Sequence, residues 1–215
     1  MSDRGSAAGG KRSADREVRM QRIRHAALTL FSRFGVRGTS LDAIAEQAGV
    51  SKTNLLYYFS SKEMLYISVM QQILDTWLAP MRAINADQAP ADAIADYIRI
   101  KVELARDRAD ASRLFCLEMI QGAPLIKELL EQDLKALVEE KSAVINDWVA
   151  SGRINPVEPH HLLYLLWGAT QHYADFAVQI RAVSGQGLDD PAFFEATVQT
   201  IQDMVLGGLL PRSTP

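Results

Sequence analysis

Apolar residues recur three and four positions apart along nearly all of this 215-residue chain, from Ile23 to Met204. That period stacks them on one face of a helix, whereas a half-buried strand needs alternation in twos. No sustained alternation and no Asn-Gly or Asp-Gly hairpin turn interrupts it. The sequence predicts an all-α fold of about nine helices, with no repeat at a fixed period that would suggest a solenoid. Ile23, Ala27, Leu30, Phe31 and Phe34 mark a first helix, which Gly35 stops. Ser40 and Ser51 are N-caps for two short helices from Leu41 and Lys52, and Gly49 ends the former. Longer helices follow over 62–86, from Pro90 through Leu104, over 111–120, 125–150 and 159–183, and from Pro191 to Leu206. Residues 1–19 read as a mobile polar arm, 20–62 as a three-helix head and 63–215 as a larger helical body.

Composition narrows the class. Hydrophobic residues make up 48% and charged residues 23%, an ordinary globular balance that excludes a disordered or collagen-like chain. One cysteine, Cys116, cannot form an internal disulfide or a CxxC motif, which fits a reducing compartment. No apolar run approaches the ~18 residues of a membrane helix, and the N-terminus lacks a secretion signal. A cytoplasmic protein without a membrane partner is expected. The net charge of −3 divides unevenly: residues 1–62 carry +6 and residues 63–215 carry −9. A basic head on an acidic body suggests that one end meets a polyanion.

Residues 40–62 read SLDAIAEQAGVSKTNLLYYFSSK. Leu41, Ile44 and Ala45 face inward from the first short helix, Gly49 supplies the turn, and Leu55 and Phe59 anchor the second. This is a helix-turn-helix pattern. A major groove admits one helix, whose N-terminal side chains meet base edges while flanking groups hold phosphates. Ser51, Lys52, Thr53, Asn54, Tyr57, Tyr58 and Lys62 are the expected DNA-contacting residues. A plain αα-hairpin with a solvated polar face is the bland alternative, which the basic charge and the consecutive tyrosines disfavour.

The segments AALTLFSRFG, TSLDAIAEQAGVSKTNLLYYF and SKEML, in that order and spacing, resemble the head of the TetR family of transcriptional regulators. Leu56 departs from the family pattern, which often has a phosphate-contacting tyrosine there, so Tyr57 and Tyr58 must supply such contacts. SKTNLLYYF, ILDTWLAP, ASRLFCLEM and TQHYADFA further resemble the family's pyrimidine-utilisation regulators over residues 20 to about 206. The resemblance implies a DNA-binding regulator, mainly a repressor, of pyrimidine catabolism that uracil or thymine releases from its operator. It also implies a homodimer on a near-palindromic site, with the last two long helices as interface. Their apolar residues include Leu162, Leu165, Leu166, Phe193, Phe194, Val198 and Met204.

A uracil ring needs aromatic faces and a side chain that both donates and accepts, as Gln does. Trp167, Gln171 and Asp175 lie four apart and share a helical face. Trp77, Tyr97 and Phe115 offer ring faces, and Lys101 stands one turn beyond Tyr97. Each aromatic also fits a plain core, and Gln171 also fits a dimer interface. Glu158-Pro-His-His161 has the Glu-x-x-His spacing of di-iron bundles, which need two copies and two further Glu; one copy is present. No GxSxG, HExxH or phosphate-binding glycine loop occurs, so no enzyme, metal or cofactor is expected. A TetR-type regulator with a drug or lipid-like ligand is the nearer alternative, and a helical protein-interaction module the more distant one.

Overall fold

The computed structural model describes the backbone of residues 5–211 and the side chains of residues 14–211. Among the described residues the chain is all-α, with eleven helices and one π-helical turn. They are α1 (Gly5–Gly38), α2 (Leu41–Ala48), α3 (Lys52–Tyr58), α4 (Lys62–Arg82), α5 (Pro90–Asp107), α6 (Ala109–Ile120), α7 (Lys127–Leu129), the π turn (Leu130–Leu134), α8 (Lys135–Ala150), α9 (Pro159–Asp175), α10 (Ala177–Ser184) and α11 (Pro191–Leu209). The chain divides into two compact units inside α4, one ending at Gln72 and the other beginning at Ile73.

In the first unit α1 packs on α2, and α2 on α3. Its core holds Ile23, Phe31, Ile44, Leu55, Phe59 and Tyr66, with Phe31 edge-on to Tyr66 at 5.3 Å. Burying each large apolar side chain contributes about 1.5–3 kcal/mol. In the second unit α5 is central and packs against α6, α9 and α11. Ile98, Val102, Leu163, Leu166, Val198 and Trp148 are among its buried residues.

Several boundaries differ from the sequence reading, which expected about nine helices. The expected arm lies partly outside the described residues, at 1–4, and is helical from Gly5 on. Gly35 stops the continuous first helix, as expected: its non-helical backbone (φ 68°, ψ 171°) breaks α1, and a short helical stretch follows it to Gly38. Helix α4 ends at Arg82, not residue 86, because Asn85 builds a turn by accepting from the Asp87 N–H at 3.1 Å. The single helix expected over 125–150 is interrupted by the π turn. The one expected over 159–183 breaks at Phe176 (φ −114°, ψ 29°), which divides α9 from α10.

Of the apolar residues expected at a dimer interface, Leu162, Leu166, Phe194 and Val198 are buried inside the chain's own core. Leu165 and Met204 are exposed and Phe193 is half-buried. Among the described residues no helix is long and apolar enough to cross a membrane.

Candidate functional site

Ser40 caps α2 by accepting from the Ala43 N–H at 3.1 Å. The chain reverses at Gly49, whose left-handed backbone (φ 65°, ψ 40°) brings the Val50 N–H to Ala45 O at 3.0 Å. Ser51 then opens α3 by accepting from the Asn54 N–H at 3.1 Å. Leu55 and Phe59 turn inward, which leaves Ser51, Lys52, Thr53 and Tyr57 exposed and Asn54 and Tyr58 half-buried. Tyr57 is 78% exposed and meets Tyr58 edge-to-face at 5.2 Å. Lys52 pairs with Asp42 at 2.9 Å, both ends being solvated. Such a pair contributes at most about 1 kcal/mol, so it yields readily to a phosphate. Lys62 is half-buried and donates to Thr39 O at 3.0 Å. The structure thus gathers a polar helix start, an exposed tyrosine and the Lys52 ammonium on the α2–α3 hairpin, with Lys62 at the start of α4.

Gly49 admits no other residue cheaply. A Cβ there meets Arg22 Nη2 at 2.8 Å, and that guanidinium already donates to Ala48 O at 2.7 Å. Gly49→Ala is expected to destabilise the unit by about 1–2 kcal/mol, the penalty for a side chain in left-handed backbone. A thermal melt that matches the parent would contradict this.

The second unit contains a cavity of about 230 Å³ walled by α4, α5, α6, the π turn and α9. At ~30 Å³ per molecule it holds about eight waters' worth of space, the scale of one small ring. Of the seven ligand-binding candidates read from the sequence, Trp77, Lys101, Phe115, Trp167 and Gln171 line it. Trp77 and Phe115 lie 6.4 Å apart at 31°. The Lys101 ammonium stands 4.1 Å from the centre of the Trp77 ring. Cation–π contact of this kind contributes about 0.5–2 kcal/mol.

Tyr97 and Asp175 do not line the cavity; they hold its walls. Trp167 Nε1 donates to the Tyr97 hydroxyl at 2.9 Å, and Asp175 accepts from the Ser112 hydroxyl. Burial pushes the Tyr97 phenol above its ordinary range. Cys116 is half-buried, and burial first and Asp175 second push its thiol up. Ile73, Leu74, Leu78, Met119, Leu130 and Leu134 also line the cavity and are not singled out by the sequence reading. Met119 follows Phe115 by one turn of α6, a spacing that marks it as a neighbour. Leu130 and Leu134 bound the π turn, a feature often found at functional sites.

Two buried lysines behave differently. Lys141 donates to Ile84 O at 2.8 Å, Arg82 O at 3.1 Å and Glu140 at 2.7 Å. Lys101 is as deeply buried, at 3% exposure, yet finds no hydrogen-bond acceptor and no ion pair among the described residues. Desolvation lowers its pKa to about 7, against a partial pull from Asp175. Glu158 serves as the N-cap of α9, accepting from the His161 N–H at 2.8 Å and pairing with His160 at 2.9 Å. Among the described residues no group of three or more His, Cys, Asp and Glu is placed to hold a metal.

Residues 23–69 match the family described as bacterial regulatory proteins, tetR family, and residues 70–212 match the YcdC-like protein C-terminal region. Over 203 residues the chain is 55% identical to the HTH-type transcriptional regulator RutR of Escherichia coli (strain K12), covering 94% of this chain and 96% of that one. The chain belongs to the TetR family. It is a TetR-type DNA-binding transcriptional regulator related to RutR, a family of regulators and not of enzymes. A putative transcriptional regulator from Streptomyces coelicolor, SCO4942, shares the fold with a TM-score of 0.71 at 27% identity, covering 90% of this chain and 98% of that one. AibR, solved with isovaleryl coenzyme A and operator DNA, shares the fold alone, with a TM-score of 0.66 at 18% identity over 86% of this chain and 97% of that one.

Proposed function

We propose that this chain is a homodimeric repressor of pyrimidine breakdown that uracil or thymine releases from a near-palindromic operator. The observation that carries the effector assignment is the cavity. Ring faces from Trp77, Phe115 and Trp167 surround Lys101 and Gln171, which make no hydrogen bond among the described residues, and Trp77 Nε1 is a buried donor without a partner. A planar ring with carbonyl and N–H groups satisfies both Lys101 and Gln171. A drug or lipid-like ligand without polar atoms leaves both unpaired, at a cost of about 1–3 kcal/mol each. The relationship to RutR and the resemblance to pyrimidine-utilisation regulators agree with this choice.

Ser51, Lys52, Thr53, Asn54, Tyr57, Tyr58 and Lys62 are the proposed operator contacts. A homodimer sets two copies of α3 about one helical turn, ~34 Å, apart along the duplex. Helix α4 carries Lys62 at its start and Trp77 further on, so it belongs to both units. A ligand that favours one position of α4 lowers DNA affinity if it binds the DNA-competent state less well. Operator DNA must then weaken the ligand by the same factor.

The DNA contacts separate by their salt and sequence signatures. Lys62→Ala is expected to weaken binding to all sequences and to flatten the plot of log affinity against log salt by up to about one unit. Asn54→Ala is expected to change the ranking of operator variants by about 1–3 kcal/mol at the base pair it reads. Fluorescence anisotropy across a salt series and an operator panel measures both. An unchanged slope, or equal losses on specific and random DNA, contradicts the respective role.

A further inference from the structure

Lys101 and Gln171 are not equivalent readers in the cavity. The Gln171 amide rotates to present either its donor or its acceptor end, so it pairs with a keto or an amino group alike. The Lys101 ammonium only donates. Uracil and cytosine share a ring and one carbonyl and differ along one edge, where uracil has a keto oxygen beside a ring N–H and cytosine an amino group beside an acceptor ring nitrogen. An amino donor set against a buried ammonium leaves both unpaired, the discrimination that buried hydrogen-bonding groups enforce best.

We propose that Lys101 is the specificity-determining residue of this cavity, donating to the keto oxygen that separates uracil and thymine from aminopyrimidines and taking up a proton as it does so. This rests on the pyrimidine reading of the cavity. The geometry is the unshared ammonium: 3% exposed, over the Trp77 ring at 4.1 Å, and without an acceptor among the described residues. Trp77 Nε1 is a second buried donor without a partner in the same cavity, but it has no proton to gain, and the titratable neighbours of Lys101 give the ammonium no acceptor. On α9, Asp175 is the one charge acting on it, and that carboxylate already accepts from Ser112. On α6, the Cys116 thiol is directed to Asp175. Tyr97, one turn back on α5, holds Trp167. Lys141 shows that a buried lysine in this unit is otherwise given its acceptors.

The proton follows from the same contact. Burial without an acceptor lets the free lysine lose its proton near pH 7. A keto oxygen on the ammonium favours the charged form, so the ligand-bound lysine holds its proton to higher pH. Above neutral pH, uracil binding therefore draws a proton from solvent, and affinity falls by up to about tenfold per pH unit. Below neutral pH the lysine is already charged and the dependence disappears.

The test is calorimetric titration of the full-length protein with uracil and with cytosine, at about pH 6 and about pH 8.5, in two buffers of different ionisation enthalpy. Near pH 6, where Lys101 is charged, uracil is expected to bind at least about tenfold more tightly than cytosine; near pH 8.5, where the free lysine is a neutral amine that also accepts, the preference narrows. Near pH 8.5 the heat of uracil binding should reveal uptake of close to one proton, against almost none near pH 6. Lys101→Gln, whose amide accepts as well as donates, is expected to bring the two ligands within about threefold and to abolish the uptake. Merely filling space at position 101 would move neither readout. Saturable uracil binding by the parent protein with no buffer dependence overturns the proposal and leaves the pyrimidine reading standing. Retention of both the preference and the uptake by Lys101→Gln overturns it as well. Absence of any uracil binding overturns the reading and this proposal with it.

Discussion

The paired substitution Leu165→Glu and Met204→Glu is expected to leave a folded monomer whose hold on operator DNA falls by about a thousandfold or more, to the level of non-specific binding. Leu165 on α9 is 57% exposed and Met204 on α11 is 77% exposed, so neither supports the chain's own core. Gly168 lies in the interior of α9, and Gly207 and Gly208 in the last turn of α11; a Cβ at any of them would meet nothing within 4 Å. A mid-helix glycine costs about 0.5–1 kcal/mol relative to alanine. Nothing within the chain requires that penalty here, whereas a partner helix approaching closely would. The expected dimer is isologous, α9 and α11 of each chain meeting their copies across a two-fold axis. Charge placed at both positions repels its own image. Analytical ultracentrifugation reads the assembly, anisotropy reads the operator, and circular dichroism reads the fold. A dimer that persists with operator affinity within a few-fold of the parent contradicts this interface.

Trp148→Ala is expected to produce the largest loss of stability, about 3–5 kcal/mol. Trp148 is 1% exposed and its indole N–H donates to Ala86 O at 3.3 Å. At about 2–4 °C per kcal/mol for a chain of this size, the body melts roughly 6–20 °C lower. Trp148→Phe separates packing from hydrogen bonding. The Ala86 carbonyl also accepts from Arg153 Nη1 at 2.8 Å, so it stays paired when the indole is removed. The phenylalanine variant should therefore lose well under half as much as the alanine variant. Equal losses would mean that the hydrogen bond, and not the packing, holds the body together at this point.

The helix-turn-helix was legible because its determinants are local. Ser40, Gly49 and Ser51 act through hydrogen bonds and backbone angles within a few residues of themselves, and all three do what their spacing implies. The cavity was legible in part for the same reason: Trp167 and Gln171, one turn apart, share a helical face and both line it. Asp175, the next residue on that face, does not, because Ser112 from α6 engages it. That partner lies 63 residues away, and no local pattern announces it. Tyr97 is withdrawn in the same way by Trp167. Periodicity also fails where apolar residues crowd all round a helix. On α9, Leu162, Leu163 and Leu166 are buried while Tyr164 and Leu165 are exposed. Choosing among them needs the neighbours of α9, which the sequence does not display. The π turn escaped notice because Leu130 and Leu134 also fit an uninterrupted α-helix.

The central claim is that occupancy of the cavity governs grip on DNA. It is tested most directly by the affinity of the dimer for a duplex that it recovers from genomic fragments, followed by anisotropy with and without saturating uracil. The expected dissociation constant without ligand is about 10⁻⁸ to 10⁻¹¹ M. Uracil or thymine should weaken it about five- to 150-fold, while cytosine and adenine leave it unchanged. Tight operator binding that does not respond to uracil, under conditions where calorimetry shows the cavity filled, would contradict the account.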